Sequence, residues 1–547
     1  MKKYNLIIFA FLNLFLANAI LAQSDAEFSG EMNWGQEYKE PSNSYLSEIL
    51  ANDNSGFYAL RRQIKGGLRT GGRPQKIYIE KYNQDMKLKK SKQIDLRYKK
   101  KNRDFEKVIY LNNQFYLLTS FNNKGHKANY LFVQSIKKKS LSLSNKIKKI
   151  AESPARDEAK EGKFNFHVSK DSSNLLIYSQ LPDVKKGSER FSLQVFDNNF
   201  DKKWGKDIQL PYPANRFSIT DYRVDNNGNV YLLGLLYENK SGFLRRNANY
   251  QHIILAYTED GEESEEYDVN LEDKFITDLT FRVGKDGKLI CSGFYSEKNK
   301  YSIKGTYFFQ IDPINSEVSN ASYKEFDFDF VTEYYSDRKK RKAKKAEKEG
   351  DFKRSAELYQ YSLNDLILRS DGGAVLVAEQ YYVERREDNY YSNNGFYNRY
   401  GYRTNQFREN FDDYYNYNDI IIVNIKPNGE IQWASRIPKK QETINDGGYY
   451  SSYAMAIVRD KICFVYNDNA KNFGAKKNNR RYGFNGSNSI LALTEVGMDG
   501  TVNTFPISSN REQGIITRPK VCKQIGKREV AIFGERGKRF KFGKLEL

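Results

Sequence analysis

Short apolar runs separated by polar turns recur along most of the chain. Tyr222 to Gly234 shows the pattern: an apolar-polar run, the turn Asp225-Asn-Asn-Gly-Asn, then Val230-Tyr-Leu-Leu. Phe281 to Gly293 repeats it around Gly284-Lys-Asp-Gly-Lys, and Leu366 to Ala378 around Ser370-Asp-Gly-Gly. Asn and Gly tolerate the positive φ of tight turns, so these segments predict β-hairpins. Looser copies start near Ile49, Val108, Phe166, Ala456 and Val521. A second hairpin follows each of the first seven, as in Leu193 to Trp204, Ile253 to Gly261 and Ile420 to Trp433. Two hairpins make a four-stranded antiparallel unit, and units recurring at roughly 40–50 residues have the spacing of propeller blades.

The expected fold is therefore all-β, a β-propeller of eight blades, with seven as the second choice. Seven full units run from about residue 46 to 506. The eighth has three strands, from Arg518 through Glu529 to Gly534 and Phe540 to Leu547. Met32 to Glu37 is expected to supply its fourth strand, because pairing the two ends removes free sheet edges. Stacked β-sandwiches would use the same hairpins, but the units follow one another without linkers. Residues 23–547 are read as one domain.

Two insertions interrupt the rhythm. Residues 331–358 are highly charged and predict a short helix whose Ala343 and Ala346 leave it no apolar stripe to bury. Residues 380–418 read as a loop rich in Tyr and Asn, and a smaller loop runs from Lys471 to Ser487. Loops on a rigid scaffold are where binding concentrates.

The N-terminus changes the picture of where the chain works. Lys2 and Lys3 precede an apolar run from Leu6 to Leu16 and then small residues, the order of a signal peptide over residues 1–22. Cleavage is expected between Ala19 and Ala22. The run is shorter than the roughly 20 apolar residues of a membrane span, and nothing after residue 23 reads as a transmembrane helix. The expectation is export to the periplasm or to the extracellular, outer-envelope surface. With 89 basic and 69 acidic residues among 547, the net charge is +20. A basic surface attracts polyanions; for an exported chain these are envelope glycans, and nucleic acid is disfavoured.

Candidate chemistry is sparse. Three Cys and three His leave little for a disulfide framework or a metal site. No metal-ligand spacing, nucleophile elbow, Walker loop or dinucleotide fingerprint occurs, so no catalytic, metal or cofactor residue is assigned and no cofactor is expected. Cys291, Cys463 and Cys522 sit in strand-like apolar runs and read as core thiols. His126 reads as a solvated turn residue, and His167 and His252 as strand residues. Acidic pairs are plentiful, so catalysis is disfavoured without being removed.

The Asp/Asn-Gly turn motif, clearest in Asp225 to Gly234 and Gly284 to Gly293, resembles that of β-propeller repeat proteins, in particular secreted bacterial ones of unassigned function. The resemblance covers most of residues 46–547 and implies a fold and a compartment, with no catalytic residues to carry over. The expected function is a non-catalytic binding scaffold of the bacterial cell envelope, a monomeric ring whose loops hold an envelope protein. A lectin-like propeller for glycans or polyanions is the alternative, and a glycan hydrolase or lyase the second. The residues singled out for partner contact are the basic Arg338, Lys339, Lys340 and Arg341, and the aromatic Tyr391, Phe396, Tyr397, Tyr400 and Tyr402.

Overall fold

The computed structural model describes residues 31–547 except 65–73, 99–100, 156–162, 182–186, 239–248, 272, 298–301, 314, 316, 351–355, 389–395, 398–402, 405–409 and 474–480. The proposed signal peptide and its cleavage positions lie outside the described residues.

The hairpins pair in chain order into eight antiparallel sheets, the blades of one propeller. Blade 4 is representative: Phe217–Val224, Val230–Tyr237, Tyr250–Thr258 and Glu263–Val269 pair side by side. In blade 2 the fourth position is divided between Ser142–Leu143 and Lys148–Pro154, and in blade 8 the first is divided between Ile516–Thr517 and Lys523–Gln524. Blade 8 is completed by Glu31–Lys39, which pairs antiparallel with Arg539–Glu546 from Glu31 opposite Glu546 to Lys39 opposite Arg539. The fourth strand expected from Met32 to Glu37 is thus in place.

Every sheet buries both faces, which is why its strands carry apolar residues at consecutive positions. In blade 4, Val230 and Leu232 pack toward blade 3, against Phe191 and Trp204. Their neighbours Tyr231 and Leu233 pack toward blade 5, against Phe281 and Tyr307. Side chains alternate across a strand, so one strand feeds two cores. Such shared cores lie between each successive pair of blades, and the last joins blade 8 to blade 1 through Phe540 and Phe542 against Phe57 and Tyr82. The hydrophobic material lies in a ring of wedges, which excludes stacked sandwiches.

The first strand of each blade is innermost, and in five blades it carries a β-bulge at an equivalent place. Register shifts fall between Leu46 and Glu48, Phe105 and Lys107, Ile219 and Asp221, Ile276 and Asp278, and Leu363 and Asp365. Bulges bend a strand and re-aim its side chains. The bulged Thr220 and Thr277 hydroxyls donate to Leu233 O and Phe294 O, and Asn364 Oδ1 accepts from Glu379 N.

Antiparallel order sorts the connections onto two rims. Turns joining first to second and third to fourth strands share one rim, and they are short. Asp225 Oδ1 there accepts the backbone N–H groups of Asn227, Gly228 and Asn229 at 2.8–2.9 Å. This closed network makes the segment a hairpin turn, as its sequence predicts. Connections between second and third strands, and between blades, share the opposite rim. All three sequence insertions are of this second kind.

Candidate functional site

The long-connection rim is built chiefly around blades 5, 6 and 7. Two helices, α1 (Phe328–Thr332) and α2 (Asp337–Lys348), fill the connection between blades 5 and 6. Asp327 caps α1 by accepting Phe330 N at 2.7 Å, and Ser336 caps α2 through Lys339 N. Ala343 and Ala346 are 4% and 3% exposed, which corrects the expectation that α2 has nothing to bury. Two small side chains three residues apart form a narrow stripe, enough to seat the helix while its charged faces stay in water. Arg338, Lys339 and Arg341 are exposed on those faces. Lys339 lies over the Tyr335 ring at 3.6 Å, and Lys340 pairs with Asp329 at 2.7 Å. Among the described residues α2 thus presents Arg338, Lys339 and Arg341 to solvent while Lys340 is paired with Asp329.

Residues 380–418 are not a loop throughout. Ala374–Asp388 and Asn410–Ile425 stay paired from Ala374 opposite Ile425 out to Asp388 opposite Asn410, far beyond the first strand, whose pairing stops at Gln380. The third partner, Ile431–Ile444, follows them outward to Ile444 opposite Tyr414. The result is a three-stranded arm projecting from blade 6. Arg385 pairs with Asp413 at 2.8 Å, and Arg386 lies over Tyr414 at 3.9 Å while reaching Glu442 at 3.3 Å. These cross-strand pairs hold an arm with little core of its own. Phe396–Tyr397 pairs with Arg403–Thr404 near the tip. Tyr391, Tyr400 and Tyr402 lie outside the described residues.

Two buried or half-buried polar groups gather within the ring, one toward each rim, and neither was legible as a set. Toward the long-connection rim, Arg61 is 1% exposed and pairs with both Glu40 and Glu80. Burial, with Glu535 nearby, pushes the Glu40 carboxyl up to about 7 in spite of Arg61. Arg518 lies 3.8 Å over the Tyr449 ring. Beside them Lys439 and Glu379, both nearly inaccessible, pair at 2.7 Å, with Ser452 donating to the other oxygen of Glu379 at 2.7 Å. Burial lowers the Lys439 ammonium from its usual range.

Toward the short-turn rim, Asp221, Arg223, Arg282 and Asp365 come from the first strands of blades 4, 5 and 6. Arg223 pairs with Asp221 at 2.8 Å and Arg282 with Asp365 at 2.5 Å. His167 Nδ1 accepts Val224 N–H at 3.1 Å. Burial, with Arg223, Arg282 and Lys107 nearby, takes its imidazole down to about 4, so it is neutral at neutral pH. The sequence signal for this group is Thr220-Asp221, Thr277-Asp278 and Asn364-Asp365, one pair per blade at the bulge. Arg223 Nη1 also lies 3.5 Å from His167 Nε2, so Asp221 and His167 share one arginine, while Asp365 is held by Arg282.

The remaining titratable candidates are structural in position. His252 is 3% exposed and burial takes it down to about 3. His126 is exposed in a turn. Cys291 and Cys463 are buried and Cys522 half-buried, with Cys463 pushed up to about 11 and Cys522 to about 12 by burial; thiols this weakly acidic are poor nucleophiles. Among the described residues no group of three or more His, Cys, Asp or Glu could hold a metal ion, and no helix is long and apolar enough to cross a membrane.

No family model and no curated protein matches the chain. Among solved structures, the chain is similar to the WD40 domain of SCAP from fission yeast, at 9% identity over 96% of this chain and 98% of that one, with a TM-score of 0.37. Polysaccharide lyase Uly1 aligns at 9% identity over 96% of this chain and 94% of that one, TM-score 0.38. The β-propeller domain of the Trilobed protease from Pyrococcus furiosus aligns at 10% identity over 85% and 98%, TM-score 0.34.

Proposed function

We propose that this chain is a non-catalytic binding propeller that holds a protein partner on its long-connection rim. The observation that carries the reading is the asymmetry of the two rims. Short, internally hydrogen-bonded turns close one, whereas the α1–α2 insertion, the projecting arm and the loop from Lys471 to Ser487 all leave the other. The aromatic-rich arm and the exposed basic face of α2 offer the contacts that protein interfaces favour. The charged, apolar and small-residue order of residues 2–22 supports export, and the net charge of +20 supports an anionic setting such as a bacterial envelope.

The test is replacement of residues 389–409 by a short Asn-Gly turn, followed by affinity capture from the native envelope. Folding should be unchanged by circular dichroism and the captured partner lost. Capture of the same proteins by the shortened chain would sink the reading.

A second reading, a glycan hydrolase or lyase, is favoured by one observation: the first strands of blades 3 to 6 carry His167, Asp221, Arg223, Arg282 and Asp365, with Arg223 shared by Asp221 and His167. Turnover of envelope polysaccharides that disappears in Asp365→Asn would establish it in place of the first.

A further inference from the structure

Helix α2 gathers positive charge on one surface of the long-connection rim. Eight of its twelve residues are Lys or Arg, and only Asp337 and Glu347 are acidic. Ala343 and Ala346 mark the side turned to the ring. Arg341 and Lys348 fall opposite them, Lys344 and Lys345 lie on either side, and Arg338 and Lys342 are farther round. All six of these cations are exposed.

Most of this charge is not neutralised within the chain. Lys340 is held by Asp329, and Lys345 reaches Glu349 at 3.6 Å. Arg338, Arg341, Lys342 and Lys348 have no carboxylate partner among the described residues. Like charges at i, i+3 and i, i+4 spacing destabilise the helix that carries them. Arg338 with Lys342, Arg341 with Lys345 and Lys344 with Lys348 are such pairs. An opposing negative surface would relieve that repulsion.

The arrangement narrows what that surface is. The cations are spread around the exposed half of the helix along about 15 Å of its axis, so a small anion meets only one or two of them. A linear acidic polymer lies along one row. A plane dense in phosphates comes within a Debye length, about 8–10 Å, of the whole face at once. Tyr335 stands just before α2 with Lys339 over its ring, and Tyr359, 44% exposed, lies near it. Such amphipathic rings favour the headgroup layer of a bilayer. We infer that α2 docks the ring on the surface of an anionic lipid bilayer, where lipid phosphates meet its unpaired lysines and arginines. The alanine side is occupied by the ring, so α2 has no apolar side to insert, and the attachment is one that salt reverses. This goes beyond holding a protein partner.

The test uses the full chain, sedimented with phosphatidylcholine vesicles with or without about one-third phosphatidylglycerol, at about 0.05 and 0.5 M ionic strength. Binding is expected only with phosphatidylglycerol and only at the lower ionic strength. A variant carrying Arg338→Gln, Arg341→Gln, Lys345→Gln and Lys348→Gln should bind at least about tenfold more weakly. A control removes the same charge from the exposed outer strand of blade 1 and its turn, through Lys87→Gln, Lys89→Gln, Lys90→Gln and Lys92→Gln. It should stay within about twofold of the parent. All eight side chains are exposed, so both variants should keep the parent's circular dichroism and melting temperature. No binding to the anionic vesicles at low salt would overturn the inference, as would equal losses in the two variants or binding that persists at high salt. Tighter binding of soluble polyglutamate or polygalacturonate than of vesicles, lost in the α2 variant, would assign the face to an acidic polymer instead. Shortening the arm leaves α2 in place, so partner capture and vesicle binding fail independently.

Discussion

Trp204 shows how one residue joins two blades. It sits on the fourth strand of blade 3, 7% exposed, and donates its Nε1–H to Gly228 O in the first turn of blade 4 at 3.0 Å. Its ring lies against Gly261 in the second turn of that blade, where φ is +83° and an added Cβ would come within 2.8 Å of the indole. Trp433 repeats the device at the next-but-two junction, donating to Met498 O at 2.9 Å beside Gly500. Trp204→Ala should lower the stability of the ring by about 3–5 kcal/mol in denaturant unfolding. Gly261→Ala should destabilise as well, through both the indole contact and the positive φ. Titration provides a second test, with two opposite signs. Burial holds His252 near 3 and His167 near 4 in the fold, against 6.5 for the free side chain. The unfolded chain therefore binds protons more readily, and stability drains away as pH falls below 6.5. Glu40 goes the other way: raised from 4.5 to about 7, it contributes stability at low pH that is lost as pH climbs between those values. Melting curves from pH 4 to 8 should show His252→Leu gaining on the parent as pH falls, and Glu40→Gln gaining as it rises.

At the level of strands and insertions, the hairpins were legible because their turns are local chemistry. Asp, Asn and Gly at Asp225 to Asn229 encode a turn without reference to the rest of the chain. The arm of blade 6 has the sequence of a loop because Tyr, Asn, Arg and Asp between 380 and 418 alternate too weakly to mark a sheet with both faces in water. Its strands are held by cross-strand pairs such as Arg385 with Asp413, which are visible only once the register is known. The α2 stripe was missed because two alanines are a small signal, yet the helix needs both. Ala343→Glu should unseat α2 from the ring, measurable as faster amide exchange over residues 337–348 while the blades keep their protection.

For the molecule as a whole, closure is the decisive feature. Blade-to-blade cores give no blade an independent interior, so stability depends on an unbroken circle, as in other repeat architectures. Removing residues 31–39 would strip the outer strand from blade 8, leaving the edge of Arg539–Glu546 unpaired and Phe540 partly uncovered on the side of Tyr38. The shortened chain should melt earlier and associate through the open edge, seen as dimers and larger species in light scattering. A separately added peptide of that sequence should restore the monomer. The pairing also sets an order of events. Glu37 meets Arg539, 502 positions later, across the seam. A ribosome makes the first of these long before the second, so the earlier segment must wait, unmatched, until its partner strand has been made. Whatever escorts the newborn polypeptide has to shield that one stretch the longest, and a cell that crosses a membrane with it can send the thread through before the knot is tied.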